Sequence, residues 1–281
     1  MRRFALASSL AALSLIGSAS PVSAALVIGQ TAPPNPPMTC SGLLVDAVQP
    51  TVTAGNSYVA PVNGTITSWS HNAYAGADQK ITMKVWRHVS GQTYMAVGHD
   101  GPRELIGGTL NTFTGISVPV KAGDVLGSNV GPPSNACTFS APGDTTLGRV
   151  SDLADGQSGE FMSSPEQRLN IAAVFSPSNT FTLGEVKRNK KKGTATLTVD
   201  VPTPGELTAT GKGGRSASSA PRAVRSKSVP AGAAQLLIGA AGKKKRKLKK
   251  TGKVTVAPTI TYTPSGGEPS MQTLKLKLKK R

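Results

Sequence analysis

Three histidines are the first place to look for chemistry, and they offer little. His71, His88 and His99 are the only ones in 281 residues, and no two stand at metal-ligand spacing. His99-Asp100 pairs a base with a carboxylate, but the Gly101-Pro102 that follows reads as a turn, and no nucleophile completes a relay. Gly156-Gln157-Ser158-Gly159 lacks the spacing of a nucleophile elbow. Asp152, Asp155 and Glu160 put three carboxylates into one loop, yet not in the alternating order of a calcium loop. No two acids stand out as the pair a glycosidase needs. The sequence therefore predicts no catalytic residue, no metal site and no cofactor. It reads as a binding protein rather than an enzyme, with a secreted hydrolase acting on polysaccharide as one alternative.

Binding chemistry is concentrated in the cations. The chain has a formal net charge of +18, and residues 180–281 hold 23 Lys and Arg against four acids. Residues 1–179 hold 9 basic and 10 acidic side chains, close to balance. Within the basic half, Lys187, Arg188, Lys190, Lys191 and Lys192 read as one cationic turn. Lys243, Lys244, Lys245, Arg246, Lys247, Lys249 and Lys250 read as a second, with Leu248 pointing inward to pin it. Such dosage points to a polyanionic partner, because solubility alone is served by interspersed signs. Simple solubility is the competing reading. Lys outnumbers Arg, and Phe181 and Tyr262, the only aromatics after residue 179, fall at core positions. Base stacking and bidentate base reading both lack their residues, so sequence-specific nucleic-acid recognition is not expected. The expected partners are anionic cell-wall or extracellular polymers: teichoic-type chains, acidic polysaccharide, lipid headgroups or stray DNA, held by diffuse attraction. A glycan is the other possibility. Among Tyr58, Trp69, Tyr74, Trp86 and Tyr94, the loop residue Tyr74 is the best sugar contact, and a carbohydrate-binding module is the alternative function it suggests.

The N-terminus decides which polyanions are within reach. Met1-Arg2-Arg3, an apolar run over 4–19 and Val22-Ser23-Ala24 form a signal peptide over 1–24, cleaved before Ala25. The run is short of the roughly 20 residues that cross a bilayer, and no other segment is long and apolar enough, so no transmembrane segment is expected. Secretion is expected, to the exterior or the cell envelope, by the general or the twin-arginine route. In that oxidising compartment Cys40 and Cys137, the only cysteines, are expected to pair. The long loop so closed would contribute about 4–5 kcal/mol on the chain-entropy model.

The elements that must position these residues read as all β. Short runs of Val, Ile, Thr, Tyr and Trp recur between Gly, Pro, Asn and Asp, with no sustained helical period. After a Pro-rich arm over 25–39, a first β-sandwich, jelly-roll-like, is expected over 40–175. Its candidate strands are 57–62, 64–71, 79–88, 93–98, 109–114, 116–120, 124–130, 145–150 and 168–175. Pro119 confines its strand to an edge or an end. A linker over 176–179 leads to a smaller immunoglobulin-like sandwich over 180–281. There Leu197, Val199 and Val201 share a face, as do Val254, Val256, Ile260 and Tyr262 on one long strand, and Leu274, Leu276 and Leu278 alternate with lysines at the end. Residues 212–233, rich in Gly, Ser, Ala and Pro, read as a mobile loop.

Several motifs carry a resemblance. Cys40, Gln49-Pro50, Ala54-Gly-Asn-Ser-Tyr58, Gly64-Thr-Ile-Thr-Ser-Trp69, Val120-Lys-Ala-Gly-Asp124 and Leu153-Ala-Asp-Gly156 mark the first half. Val186-Lys-Arg-Asn-Lys-Lys-Lys-Gly-Thr-Ala-Thr-Leu197 and Thr261-Tyr-Thr-Pro-Ser-Gly-Gly267 mark the second. By these the chain resembles a family of secreted two-domain β proteins of high-GC Gram-positive soil bacteria with a Lys-rich, immunoglobulin-like C-terminal module. The resemblance implies export and architecture; it transfers no catalytic or ligand residue. In that module the loop over 212–233 is shorter, so here it reads as an insertion.

Overall fold

The computed structural model describes residues 26–33, 43–133, 137–211, 214–216 and 227–281. The signal peptide expected over 1–24, most of the Pro-rich arm, Cys40 and the centre of the 212–233 loop lie outside the described residues. The fold is nearly all β. Its N-terminal half contributes β1 (Leu26–Gln30), β2 (Val45–Thr51), β3 (Gly64–Asn72), β4 (Lys80–Ser90), β5 (Thr93–Glu104), β6 (Leu110–Val120), β7 (Val125–Val130), β8 (Thr138–Val150), β9 (Ser158–Glu160), β10 (Met162–Leu169) and β11 (Ile171–Pro177). These make a four-stranded sheet, order β1-β11-β3-β6, and a seven-stranded sheet, order β10-β8-β2-β7-β4-β5-β9, with every pairing antiparallel. Ile28, Ile66, Trp69, Met83, Val85, Leu126, Ile171 and Phe175 are among the residues of the apolar core the two sheets share.

The C-terminal half contributes β12 (Thr182–Asn189), β13 (Thr194–Val201), β14 (Gly205–Thr210), β15 (Gly214–Ser216), β16 (Lys227–Val229), β17 (Gly232–Ala240), the helix α1 (Gly242–Thr251), β18 (Lys253–Val256), β19 (Thr259–Pro264), β20 (Ser270–Thr273) and β21 (Leu276–Lys279). Its sheets run β12-β13-β17-β15, β16-β14-β19-β20 and β18-β21. A second apolar cluster, separate from the first, gathers Phe181, Leu197, Val199, Ile238, Val256, Ile260, Tyr262 and Leu278. Each such side chain, fully buried, contributes roughly 1.5–3 kcal/mol. The period-2 alternation read from Leu197, Val199 and Val201 and from Leu276 and Leu278 is what delivers them inward.

The structure departs from the sequence reading at several elements. The first β unit begins before Cys40: β1 pairs with β11, and Ile28 enters the core, because an apolar run next to a sheet edge gains more by pairing than by staying an arm. Residues 57–62 form no strand, only an isolated bridge between Val59 and Val125. The two strands read over 109–120 are one, β6, whose register with β3 shifts at Gly115, a residue with φ +74°. Pro119 sits on that strand at the edge of its sheet, where a missing N–H costs no ladder bond. The run through Val254 and Tyr262 breaks at Ala257-Pro258 into β18 and β19, which belong to different sheets. The break read at 176–179 shifts by two residues, since Ser176 and Pro177 still pair with β3. Both ends of the supposed loop over 212–233 are in strands: β15 pairs with β17 and β16 with β14, because each meets an open sheet edge.

Candidate functional site

The chemistry-bearing residues of the N-terminal half are committed to structure. His71 is buried on β3 and its Nδ1 bonds the Asn170 carbonyl at 2.6 Å; burial lowers its pKa to about 4 against that bond. His88 bonds the Gly91 carbonyl at 2.9 Å, and His99 meets Asp155 at 3.0 Å on the surface. Asp100 serves Arg103, which grips both its oxygens at 2.7 and 3.0 Å, and Trp69, whose Nε1 donates at 2.7 Å. The Arg103 bonds, helped by Trp69 and opposed by burial, hold the Asp100 carboxyl below the usual carboxylate range. Burial pushes the Asp144 carboxyl up, but the bonds from Arg168 and Thr53 outweigh it and hold it below the usual range.

The three loop carboxylates do not converge. Asp152 bonds the buried Lys84 at 2.7 Å, Asp155 faces His99, and Glu160 ends β9. Lys84 also donates to Asp46 Oδ1 at 2.7 Å and to the Leu153 carbonyl at 2.8 Å. Asp46 accepts further bonds from Asn129, Ser151 and the Leu153 N–H at 2.7–2.9 Å. This is a buried, fully satisfied ionic clamp that fastens the segment after β8 onto the sheet. Among the described residues, no cluster of His, Cys, Asp and Glu is arranged to hold a metal ion. The aromatic surface considered for sugar also disperses. Tyr58, Trp69, Trp86 and Tyr94 are buried, leaving Tyr74, 41% exposed, without an aromatic partner from that set. Cys137 is buried too, and its expected partner Cys40 lies outside the described residues.

The cations behave differently. In the β12–β13 hairpin, Asn189 pairs with Thr194, and its side chain accepts the Lys192 N–H at 3.0 Å. Gly193, with φ +66°, closes the turn. Lys187 and Arg188 are strand residues of β12, not turn residues as the sequence suggested; the turn itself is residues 190–193. Lys187, Arg188, Asn189, Lys190, Lys191 and Thr196 line an open depression of about 500 Å³. The second basic run, read as a tight turn, is the helix α1. Lys and Arg are good helix formers, and nine residues run from Lys243 to Thr251 with no Gly or Pro among them before Gly252. Gly252, at φ +68°, ends the helix in the left-handed conformation and donates to the Leu248 carbonyl at 3.0 Å. Leu248 is the one buried residue of the helix, inward as its apolar character required.

Tertiary contacts then bring the basic segments together. Leu248 packs against the hairpin turn at Gly193, the Lys280 N–H donates to the Gly252 carbonyl at 2.7 Å, and the Arg281 N–H donates to the Lys190 carbonyl at 3.0 Å. Lys253 pairs with Lys279 across β18–β21, and Arg188 Nε donates to the Lys277 carbonyl at 3.2 Å. Hairpin, helix and chain end thus form one cationic end. The acids lie elsewhere. Asp200 sits opposite Thr182 at the far end of the hairpin, Glu206 opposite Thr263, and Glu268 follows β19 beside Asn179 of the segment joining the two halves. Glu185 alone approaches, and its 3.4 Å contact to Lys187 is the single ion pair among the described residues of 180–281.

No family model matches the chain, and no curated protein does. The physical reading therefore rests on the site itself. All twelve basic residues singled out from the sequence gather at this end, every one exposed except the half-buried Lys244. The sequence reading put Lys277 and Lys279 on the outward face of the last strand but left them out of the candidate site, together with Lys253, Lys280 and Arg281. The alternation of Leu with Lys puts Lys277 and Lys279 on the solvent face, whereas Lys253, Lys280 and Arg281 join through pairing and contacts remote in sequence. No helix among the described residues is long and apolar enough to cross a membrane. What the arrangement can do chemically is attract and hold anions.

Proposed function

We propose that the protein is exported and that the cationic end of its C-terminal half binds anionic polymers of the cell envelope, as a tether rather than an enzyme. The observation that carries this reading is the convergence of three basic segments, far apart in sequence, at the end where Asp200, Glu206 and Glu268 are not. Charge kept only for solubility would have no reason to gather. The joining segment, residues 178–181, enters at the opposite end, so the N-terminal half would be displayed away from the polymer. In this reading the two apolar clusters are two domains, a β-sandwich and a smaller immunoglobulin-like sandwich, with Cys40 and Cys137 bridged in the oxidising exterior. The architecture is then that of the secreted soil-bacterial family which the motifs resemble.

The test is sedimentation of the full secreted protein with isolated, anionic cell wall. Binding is expected at low salt and release as salt rises, because counterion displacement drives the association. A variant with Lys190, Lys191, Lys192, Lys245, Lys247 and Lys249 changed to Gln is expected to stay in the supernatant. Binding indifferent to salt, or unchanged in that variant, would sink the proposal.

A further inference from the structure

The hairpin and the helix meet at one apolar joint, and that joint limits the shape of anion they can hold together. Leu248 is the only buried residue of α1, and it rests on the glycine that closes the β12–β13 turn. A Cβ at Gly193 would stand 2.9 Å from Leu248 Cδ2 and 3.3 Å from Lys280 Cβ, so any side chain there would push Leu248 out of its seat. The bonds from Lys280 to Gly252 and from Arg281 to Lys190 tie the chain end across the same joint. Two cationic clusters remote in sequence are therefore held side by side in fixed relation.

Each half is incomplete alone. The depression lined by Lys187, Arg188, Lys190 and Lys191 is open and shallow in charge neutralisation, with Glu185 its only acidic neighbour. The helix carries seven cations in ten residues, no acid in its first turn and no side-chain cap at Ala241. Lys243 and Lys247, Lys245 and Lys249, and Arg246 and Lys250 repel at i, i+4 spacing, and the first-turn lysines face the positive end of the helix dipole. The other three acids of the C-terminal half do not relieve that repulsion, since they lie at the opposite end. An anionic chain lying along the helix would relieve it, and one that continues into the depression would engage the second cluster at high effective concentration.

We infer that hairpin and helix form one composite site for a linear polyanion long enough to cover both, with Leu248 holding the two halves in register. The inference rests on the tether reading above and specifies the ligand's form. The helix is about 15 Å long and the cationic strand stretch of the hairpin about 10 Å, so a chain that covers both must be longer than the roughly 15 Å of the helix alone. Phe181 and Tyr262, the only aromatics after residue 179, are buried, so the chain is recognised through the spacing of its charges and not through stacked bases or sugar rings. A phosphate polymer has that chemistry.

The probe is inorganic polyphosphate in two length classes, one well below and one well above the span, titrated into the full secreted protein at low salt. The long chain is expected to bind about 100-fold tighter than the short one. Changing Lys190, Lys191 and Lys192 to Gln, or Lys243, Lys245, Lys247 and Lys249 to Gln, is expected to bring the long chain's affinity down to that of the short one. Leu248→Ala, which removes no charge, is expected to erase the length dependence while short-chain binding persists. If Leu248→Ala unfolds the half, the two lysine variants still decide, because strictly additive losses would overturn the composite site. Equal affinity for both lengths overturns it as well and leaves the tether standing. No binding of either length overturns both.

Discussion

The two halves of this protein use charge in opposite ways. In the N-terminal half the charged side chains that reach the interior are matched: Lys84 with Asp46 and Asp152, Arg87 with Asp124, and Arg168 with Asp144. Among the described residues of the C-terminal half, one exposed pair is set against a field of unmatched lysines. An ion buried in a sheet must be paired because desolvation costs several kcal/mol per charge, whereas a surface lysine is solvated and costs little. Matched charge therefore fastens a fold, and unmatched charge stays in solvent.

The contrast can be broken most sharply at Asp46. Asp46→Ala leaves Lys84 buried with Asp152 as its one remaining carboxylate, and about 3–5 kcal/mol of stability is expected to vanish in urea denaturation. Combining it with Lys84→Met is expected to restore much of that loss. Should Asp46→Ala prove as mild as a surface lysine change, the claim that the N-terminal charges are structural fails.

His71 gives the next effect. Its native pKa, lowered to about 4, lies below the unfolded value of 6.5, so the unfolded chain binds the extra proton between those two pH values. Stability is thus complete above pH 6.5, falls as the pH drops from 6.5 to 4, and loses about 3 kcal/mol across that window. His71→Asn keeps a donor for the Asn170 carbonyl, and thermal melts of this variant are expected to be flatter over that range.

Leu248→Ala is expected to cost about 2 kcal/mol, since it empties a site at the margin of the second core. The smallest change is expected where the charge is unmatched. Replacing Lys190, Lys191 and Lys192 with Gln should move stability by no more than about 0.5 kcal/mol while weakening wall binding. Salt separates the halves once more: amide exchange in α1 is expected to slow a few-fold as ionic strength rises, because screening relaxes its like-charge pairs. The amides of β4 around Lys84, whose pairs are buried, should not respond.

Much of this was legible in the chain. Alternation exposed the β character, marked Leu197, Val199 and Val201 as inward, and flagged Pro119 for an edge. The dose of lysine and its confinement to residues 180–281 needed only counting. Other features were not legible. The run at 243–250 looked like a turn because charge was taken as the guide, while intrinsic propensity and the absence of a breaker made it a helix. Strands β1, β15 and β16 are short and gain their identity from the edges they meet. Lys84 gave no sign of being buried, since its partners Asp46 and Asp152 come from distant parts of the chain.

The sequence by itself determined local matters: which faces are apolar, where the backbone can turn, and how much positive charge the C-terminal half must carry in solvent. These depend on residue type and on neighbours a few positions away. The tertiary structure alone decided that the hairpin, the helix and the last residues share one end while three of the four acids and the joining segment occupy the other. That arrangement follows from strand order and from one leucine seated on one glycine, contacts between residues remote in the chain, which no local pattern encodes.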